Sequence, residues 1–429
     1  MNKAGTKLIN NIEKMTSPFH CVLESIEQLK SKGYQELIFS QQWELTKGQG
    51  YYIDLYGSTL IAFHVGEEFR VGDEFRFAAA HTDQPGLRIK GNPDVRQGKY
   101  QKLNVEVYGG PILNTWLDRP LSVAGRVSLK SEDPFHPSIK LVDFKRPILT
   151  IPNLAIHLDR EVNKGKELNR QIDMLPLVGM VKEQLEQDNY FYKALASELQ
   201  VQVEDILEFE LYLYNYEPGY EVGVENDFIV APRIDNITSV QSCLEGLIHS
   251  TRARGINVIA LFDHEEVGSR SKKGAQSVAF AVILEKIYDS FGATKSQYNE
   301  ALLQSFGLSV DVAHALHPNR PEKGDITNQV YLNDGLVIKQ ACSQSYAGDC
   351  ETSAVVQLLC RGKNIPYQIF YNRSDATSGS TLGSIANTLL PIRIQDVGIA
   401  LLAMHSSMET MGVKDQGYMD EFITEYFSR

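Results

Sequence analysis

Short stretches of alternating apolar and polar residues near the start of the chain predict β-strands. Tyr51 to Tyr56 and Leu60 to Val65 follow this pattern, and Phe75 to Ala80 is an apolar run suited to a buried strand. Before these stretches, the apolar residues between Phe19 and Leu29 recur at helical spacing. The pattern therefore predicts a helix followed by several strands.

The middle of the chain, from about Gly91 to Glu225, has a different pattern. Turn residues are dense there, and the predicted strands are short: Leu103 to Tyr108, Val123 to Leu129 and Leu154 to Leu158. A helical pattern, Val181 to Leu199, interrupts them. This composition is typical of a β-rich domain.

From Asp227 onward, strands alternate with helical patterns, as in a mostly parallel sheet covered by helices. One helical stripe follows Asn236 and consists of Val240, Cys243, Leu244, Leu247 and Ile248. We therefore predict an α/β fold with a mixed, mostly parallel sheet. Residues 1–90 and 226–429 would form this domain, and residues 91–225 would form an inserted β-rich domain.

The composition of the 429-residue chain is that of an ordinary globular protein, with 43% hydrophobic and 22% charged residues. Its formal charge of −12 argues against nucleic acid and anionic membranes as partners. The five cysteines include no Cys-x-x-Cys pair, which disfavours a disulfide framework. The polar N-terminus and the lack of a long apolar run predict a cytoplasmic protein.

Five apolar runs of the sequence end in residues that can bind a metal ion. They lead to His81-Thr82-Asp83, to Asp235-Asn236, to Asp263-His264-Glu265-Glu266, to Asp311 and to His405. Because ligands gather beyond the carboxyl ends of strands in open α/β sheets, we expect these side chains to share one rim of the sheet. Imidazole and carboxylate groups are typical ligands of catalytic zinc. The pattern therefore predicts a metal centre.

We predict two divalent metal ions. Zinc is the first choice because imidazole and carboxylate are its typical ligands. Cobalt or manganese stays open because the metal that is bound depends on availability as well as on the ligands. The ligand set is small, and each ion needs about three protein ligands, so one carboxylate must bridge the ions. His81, Asp235 and Asp311 would bind one ion. Asp235, Glu266 and His405 would bind the other.

Two further residues have predicted roles beside the metal ions. Asp83, two residues after His81, would accept the second ring N–H of that histidine and fix its tautomer. Glu265 would face the water between the ions, since neighbouring side chains at a strand end point in different directions. It would act as the general base and later return the proton to the departing amine.

Each of these motifs alone also has an ordinary structural interpretation. His81 fits an ordinary histidine at a strand end, and Asp235 fits a helix cap. Adjacent acidic residues such as Glu265 and Glu266 are common in solvated turns. The joint pattern favours a metal centre, although it does not name the substrate.

The same segments, with others along nearly the whole chain, resemble the aspartyl aminopeptidase family of metallopeptidases (family eighteen). The most specific matches are Arg233 with Asp235-Asn236, Asp263 to Ser269, Asp311 to Ala315 with His317-Pro318-Asn319, and Met404-His405-Ser406 with Glu409. Ser17 to His20 looks like a further N-terminal element of the family. The resemblance implies an aminopeptidase that acts on peptides, with the metal ligands and base given above.

The resemblance also implies contacts and an assembly that the sequence pattern does not. It implies substrate contacts for His157, Lys339 and Tyr346, with His157 reaching a neighbouring subunit. The loop Ser378 to Gly383 resembles a substrate-contacting loop of the family. The inserted domain would mediate dimerisation, and the family implies a tetrahedral dodecamer that admits short peptides. His264, His314 and His317 are also family-typical, and we interpret them as packing or outer-sphere residues.

Two departures from the family pattern bear on a preference for Asp or Glu. Met408 stands where the family commonly has Arg, and Arg320 to Asp325 replaces a Lys-His-Glu-type run. A preference for neutral or basic residues therefore stays open. A two-metal carboxypeptidase or deacylase, and an assembly protein without catalysis, are further alternatives. The full set of ligands and Glu265 favour the aminopeptidase over a silent scaffold.

Overall fold

The structure is a computed structural model of the chain, and it describes residues 3–181, 189–376 and 379–429. The helices are α1 (Lys3–Lys14), α2 (Pro18–Lys30), α3 (Tyr190–Leu199), α4 (Ile234–His249), α5 (Ala279–Asp289), α6 (Lys295–Gln304), α7 (Cys350–Lys363), α8 (Leu382–Ala386) and α9 (Asp415–Ser428). Across these described ranges, no helix has the length and apolar character that crossing a membrane requires.

The strands are named in chain order. They are β1 (Gln35–Glu36), β2 (Gly50–Leu55), β3 (Thr59–Val65), β4 (Phe75–His81), β5 (Gly86–Gln97), β6 (Tyr100–Tyr108), β7 (Leu121–Leu129), β8 (Ser138–Asp143), β9 (Leu177–Met180), β10 (Ile206–Asn215), β11 (Tyr220–Val222), β12 (Phe228–Ala231), β13 (Ile256–Phe262), β14 (Phe306–Val310), β15 (Ala313–His314), β16 (Leu336–Gln340), β17 (Tyr367–Tyr371), β18 (Arg393–Gly398), β19 (Ala400–Leu402) and β20 (Glu409–Gly412).

The chain divides into two compact units. The first contains the residues up to Asp83, together with Gly219–Met404 and Glu409–Arg429. The second contains Gln84–Pro218 and the short segment His405–Met408. The inserted domain predicted from the sequence, residues 91–225, begins and ends a few residues later along the chain than the second unit. The sequence does not indicate that His405–Met408 belongs to the second unit.

The first unit is built on a nine-stranded sheet with the strand order β1-β2-β3-β13-β4-β14-β18-β16-β17. β13, β4 and β14 lie side by side and parallel at its centre. Their register pairs Phe262 with His81, so β13 and β4 end at the same rim. The prediction of a mixed, mostly parallel sheet is confirmed.

Helix α4 packs on this sheet through the apolar stripe that the sequence predicts. The stripe from Val240 to Leu247 is buried, and α4 contacts β4 and α9. The backbone of Asp235 and Asn236 is non-helical, so the regular turns begin after Asn236. Asp235 therefore lies at the beginning of the helix, as predicted.

A second, five-stranded sheet of the first unit has the strand order β11-β12-β20-β19-β15. Two of the five apolar runs lie in this smaller sheet, in β12 and β19, and not in the main sheet. The expectation that all five runs end at the rim of one sheet is therefore wrong for these two. Apolar runs predict strands, but the partner of each strand comes from a distant part of the chain.

The second unit contains a six-stranded antiparallel sheet with the strand order β8-β7-β10-β5-β6-β9. Helix α3 packs on it, because Phe191 and Leu195 are buried in the same cluster as Leu87 and Leu211 of the sheet. This core is separate from those of the first unit. The second unit is therefore β-rich and has a hydrophobic core of its own.

Two elements predicted for the second unit differ in the structure. Leu154 to Leu158, predicted as a strand, forms an exposed turn, in which Leu158 is 75% exposed. The alternating pattern does not form a strand here because residues 154–158 are all exposed, so neither face of the segment is buried. Of the helix predicted over Val181 to Leu199, Tyr190–Leu199 forms α3, and residues 182–188 lie outside the described residues.

Candidate metal centre and active site

Three neighbouring strands of the main sheet bring most of the predicted site residues to one rim. β4 ends at His81, β13 leads to Asp263 and the 3₁₀ turn Glu265–Val267, and β14 leads to Asp311. The carboxyl ends of these strands meet because the strands are parallel neighbours. Asp235 approaches His81 from the smaller sheet, after β12.

His81 is buried, and its two ring nitrogens have different partners. Nδ1 donates to the main-chain oxygen of Asp83 over 2.9 Å. Nε2 lies 3.2 Å from Asp235 Oδ1 and 3.6 Å from Asp311 Oδ1. Burial lowers the pKa of His81, but hydrogen bonding to Asp235, Asp311 and Asp83 outweighs burial and raises this pKa well above its usual value. The cluster therefore attracts positive charge to Nε2.

Asp83 contacts the site through both its main chain and its side chain. The buried carboxylate accepts the N–H groups of Glu265 and Glu266, each over 3.1 Å. His81 Nδ1 is 3.5 Å from this carboxylate and closer to the carbonyl. Asp83 therefore accepts the second ring N–H of His81 through its carbonyl oxygen, while its carboxylate is bonded to the turn.

His81, Asp235 and Glu266 form a group that fits a metal ion. One ligand atom from each residue lies within 4.8 Å of the others. An imidazole nitrogen and carboxylate oxygens are ligands that zinc prefers. Electron-rich atoms that face one point repel one another unless a cation lies between them. The residues present therefore fit a zinc ion.

Contacts to both sheets of the first unit hold the segment of Asp235 in place. Its N–H donates to Oε2 of Glu409, on β20, over 3.0 Å. The peptide bond to Asn236 is cis. The Asn236 side chain donates to the carbonyl of Val310, the last residue of β14, over 3.1 Å. The segment that carries the Asp235 carboxylate is thus held by the smaller sheet on one side and by the main sheet on the other.

The adjacent residues Glu265 and Glu266 have different neighbours. Glu266 contributes an oxygen to the group that fits a metal ion. Burial raises the pKa of Glu265 to about 8; His81 opposes this rise, while Asp311, Asp83 and Asp235 add to it. A carboxyl group whose pKa lies near neutral can both accept and release a proton. Glu265 therefore suits general acid–base chemistry.

Asp311 follows β14 and pairs with Lys339, which is buried on β16. Lys339 Nζ lies 3.5 Å from Asp311 Oδ2 and donates to the carbonyl of Val312 over 2.9 Å. Burial raises the pKa of Asp311, but Lys339 and His81 outweigh burial and hold this pKa below its usual value. Asp311 therefore stays ionised beside His81.

The two residues predicted to bind substrate in the first unit lie beside this ion pair. The ammonium of Lys339 is 5.1 Å from the centre of the Tyr346 ring, and both side chains are buried. The Tyr346 hydroxyl accepts a hydrogen bond from Asn372 over 3.2 Å. Lys339 and Tyr346 therefore extend the polar site away from Asp311.

The other two predicted site residues belong to the second unit. His405 begins the segment His405–Met408, and its Nδ1 lies 3.1 Å from the carbonyl oxygen of Gly110. His157 lies in the exposed turn that contains Leu158. Metal binding by His405 and a substrate contact by His157 stay predictions.

A cavity of about 350 Å³ opens in the first unit next to this polar site. Its lining includes His314, His317, Lys323, Phe370, Asn372 and Met404. The ring of Phe370 lies 6.2 Å from the rings of both His314 and Tyr346, measured between ring centres. Through Tyr346 and Lys339, this cavity is connected by contacts to Asp311.

The sequence did not indicate this cavity. On the sequence alone, His314 and His317 are interpreted as packing or outer-sphere residues and Lys323 has no role of its own, but all three line the cavity. Its walls come from segments far apart in the chain, which spacing along the sequence cannot bring together. The departure from the family pattern at Arg320 to Asp325 was the one available signal, because Lys323 lies within it.

The loop Ser378 to Gly383, predicted to contact substrate, is bonded to the main sheet. Ser378 lies outside the described residues. Thr381 donates to Asp396 over 2.8 Å, and the N–H of Gly383 donates to Ser309 Oγ over 3.0 Å. The described part of this loop is therefore attached to β14 and β18.

Residues 11–427 match the family model described as aminopeptidase I zinc metalloprotease (M18). The probable M18 family aminopeptidase 2 of Clostridium novyi is 45% identical over 427 residues, which cover 99% of each chain. Aspartyl aminopeptidase 4 of Saccharomyces cerevisiae is 35% identical and covers 99% of this chain and 94% of its own.

Among solved structures, the mApe1 dodecamer of Saccharomyces cerevisiae has the same fold. Its TM-score is 0.85 at 23% identity, and the match covers 99% of this chain and 96% of that chain. The resemblance inferred from the sequence is confirmed by the family model and the relatives. The chain therefore belongs to the M18 family of zinc aminopeptidases, which are metallo-hydrolases.

Proposed function

We propose that the chain removes the N-terminal residue of peptides with two metal ions, zinc by preference, bridged by Asp235. His81, Asp235 and Asp311 would hold one ion, and Asp235, Glu266 and His405 the other. The group of His81, Asp235 and Glu266, whose ligand atoms lie within 4.8 Å of one another, is the observation that carries the proposal. His81 Nε2 lies 3.2 Å from Asp235 and 3.6 Å from Asp311, which supports their sharing one ion.

In this proposal, Glu265 carries the proton during hydrolysis. Bound metal ions supply Lewis acidity, which lowers the pKa of water and polarises a carbonyl group. Glu265 accepts a proton from the attacking water and returns it to the departing amine. Its pKa, raised to about 8, lies near neutral and suits both transfers. Asp83 supports this role because its carboxylate holds the N–H group of Glu265.

Replacing Glu265 by Gln tests the proposed base. Glu265→Gln should lower kcat by about 10²- to 10⁴-fold, because it removes the proton acceptor while keeping the shape of the side chain. Metal content should stay that of the unmodified chain. The matched variant Glu266→Gln should lose metal as well as activity, because Glu266 is a proposed ligand. Near-normal turnover of Glu265→Gln would contradict the mechanism.

The number of metal ions is tested separately by elemental analysis. The proposal expects two ions for each active chain, with activity lost on chelation and restored by zinc. Fewer than about two ions per active chain would contradict the bridged centre. Parallel reactivation with cobalt and manganese compares the metals, since imidazole and carboxylate ligands accept all three.

We further propose that this cavity, which Tyr346 and Lys339 connect to Asp311, selects an acidic side chain, Asp or Glu, at the peptide N-terminus. His314, His317, Lys323 and Arg373 give its lining basic groups, beside the Asp325 carboxylate. The name of the Saccharomyces cerevisiae relative, aspartyl aminopeptidase 4, points to the same preference. A preference for neutral or basic residues is the second candidate, because Arg320 to Asp325 and Met408 depart from the family pattern.

Three residues are proposed substrate contacts on the strength of the family resemblance. Tyr346 touches Phe370 of the cavity wall, which supports its assignment. Lys339 lies between Tyr346 and Asp311, which supports a position near the scissile bond. His157 is proposed to contact the substrate of a neighbouring subunit, and its exposure in the single chain is compatible with that role.

We propose that residues 91–225 mediate dimerisation and that the dimers assemble into a tetrahedral dodecamer that admits short peptides. The dodecamer of Saccharomyces cerevisiae mApe1 supports this assembly. We also propose a cytoplasmic location, because all five cysteines are free thiols and a reducing compartment preserves them.

A further inference from the structure

The segment from Asp263 to Gly274 leaves the end of β13 and returns to it, so that the two ends of a loop touch. The N–H of Asp263 donates to the carbonyl of Lys273 over 3.3 Å. The Thr59 hydroxyl bonds to both of these groups, over 3.2 and 2.7 Å. Glu265 begins the 3₁₀ turn that follows Asp263 by two residues. Asp263 and Lys273 therefore form the base of the loop that carries the proposed general base.

The side chains at the base of this loop form a buried ion pair. Lys273 Nζ lies 3.3 Å from Asp263 Oδ2, and the two side chains are 4% and 1% exposed. The Ser58 hydroxyl donates to the same carboxylate oxygen over 2.6 Å. The ammonium also lies 5.0 Å from the centre of the Phe19 ring, a distance that suits a cation–π contact. Such a pair keeps its geometry because each buried charge needs its partner.

Contacts inside the loop connect this base to the turn. Ser271 Oγ lies 2.7 Å from His264 Nδ1 and accepts the N–H group of Lys273 over 3.2 Å. The N–H of His264 in turn donates to the Asp263 carboxylate over 2.8 Å. A displacement of Lys273 is therefore transmitted to His264, whose chain neighbour is Glu265.

We propose that Lys273 is a positioning residue for peptide hydrolysis, and that its buried ion pair with Asp263 holds the loop in the conformation that places Glu265 in the site. This inference rests on the proposed function, in which Glu265 is the base. It also gives a role to the N-terminal element Ser17 to His20, because Phe19 covers the ammonium of Lys273.

The test is Lys273→Met in the full-length, metal-loaded protein. Met keeps most of the side-chain length and removes the charge. We expect kcat to fall about 10- to 100-fold, because a displacement of about 1 Å at a catalytic group has an effect of this size. KM and metal content should be unchanged, and Lys273→Arg, which keeps a cation, should lose less. The matched control is Lys272→Met, since Lys272 is exposed and faces the Tyr56 ring at 4.3 Å.

A double-mutant cycle separates positioning of Glu265 from a general effect on the fold. In the Glu265→Gln background, Lys273→Met should change the residual rate less than about twofold, because the two residues act through one group. An equal loss in both backgrounds would overturn the inference, as would a normal kcat for folded Lys273→Met. High activity of Glu265→Gln alone would instead refute the proposed base, so the two failures are distinguishable.

Lys273→Met leaves Asp263 buried without its cation, so this single variant could fail to fold. A double variant in which both residues are neutral tests the inference in that case. Asp263→Asn combined with Lys273→Met removes both charges and should restore folding. Its kcat should still be reduced, with KM and metal content unchanged. A neutral pair with the full kcat of the unmodified chain would show that the ion pair does not position Glu265.

Discussion

At the scale of single residues, the site depends on which atom of a side chain meets which partner. Asp83 shows this most clearly, because its carbonyl accepts the ring N–H of His81 and its carboxylate accepts the N–H groups of Glu265 and Glu266. Spacing along the sequence correctly placed Asp83 beside His81. It could not identify the contacting oxygen, since the Glu265 turn that engages the carboxylate lies far along the chain.

Lys323 allows a prediction at the residue scale about substrate preference. Among the described residues, Lys323 interacts with the Glu322 and Asp375 carboxylates only at longer range, whereas Arg373, on the same cavity wall, forms a close ion pair with Asp375. Lys323→Met should therefore lower kcat/KM for Asp- and Glu-linked dyes by about tenfold or more, since a hydrogen bond to a charged group is lost. The rates for Leu- and Ala-linked dyes should be unchanged.

The neighbouring Arg320 provides the matched control for this prediction. Arg320 pairs with Glu322 of the same loop, so Arg320→Met should leave the ratio of acidic to neutral rates nearly unchanged. The same set of substrates includes a Lys-linked dye. Under the second candidate function, a preference for neutral or basic residues, this dye should be hydrolysed faster than the Asp- and Glu-linked dyes. Equal losses on all substrates after Lys323→Met, or none, would contradict a cavity that selects acidic residues.

At the scale of elements, helices α4 and α9 share a buried polar seam. Thr238 and Ser242 of α4 bond to Gln416 of α9, over 2.5 and 2.9 Å. Asp420 extends the seam, because its carboxylate accepts the Ser242 hydroxyl over 2.6 Å and the Gln241 amide over 3.1 Å. Since α4 begins beside Asp235, this seam fixes the helix that follows the proposed bridging ligand.

Asp420 gives the seam a measurable pH dependence. Burial raises its pKa to about 6, above the usual 3.8, although Ser242, Gln416 and Gln241 lower it. The folded chain therefore binds this proton more tightly than the unfolded chain, and the carboxyl reduces stability as pH rises from about 4 to about 6. The free energy of unfolding of the unmodified chain, relative to Asp420→Asn, should fall by up to about 3 kcal/mol across this range.

Denaturant unfolding at several pH values, at one metal concentration, measures this difference. The matched control is Glu421→Gln, one residue along the same helix and exposed, whose difference from the unmodified chain should stay nearly constant. A difference for Asp420→Asn that is flat with pH, or that rises, would contradict the raised pKa.

At the scale of the whole molecule, the exposed turn of the second unit bears on assembly. Leu154, Ile156 and Leu158 are 50%, 47% and 75% exposed in the single chain, and clustered exposed apolar residues mark interaction surfaces. We expect this turn to be covered by another copy of the chain in the proposed dodecamer. Leu158→Asp should therefore lower the mass of the assembly, as measured by size exclusion with light scattering.

A second aspartate substitution serves as the control for assembly. Leu358, on α7, is 67% exposed and belongs to the first unit, outside residues 91–225, so Leu358→Asp should leave the mass of the assembly unchanged. The folded state of both variants is checked by circular dichroism. A normal assembly of Leu158→Asp would show that the turn is not part of an interface between copies.

The sequence by itself determined the elements around the site and the kind of chemistry. The stripe of α4 and the apolar runs of β4, β13 and β14 depend on local periodicity, and the structure forms all of them at nearly the predicted residues. The ligand types at the ends of these runs indicated metal chemistry, because imidazole and carboxylate groups after buried strands share one rim. The specific motifs also identified the family.

Only the tertiary structure decided which residues and atoms meet. It placed β12 and β19 in a smaller sheet, buried Lys339 against Asp311, and brought His314 and Lys323 to one cavity. The ion pair of Asp263 and Lys273 likewise appears only when the loop closes on itself. These contacts depend on strand pairing and chain return over long separations, whereas a sequence pattern records only which face of its own element each residue occupies.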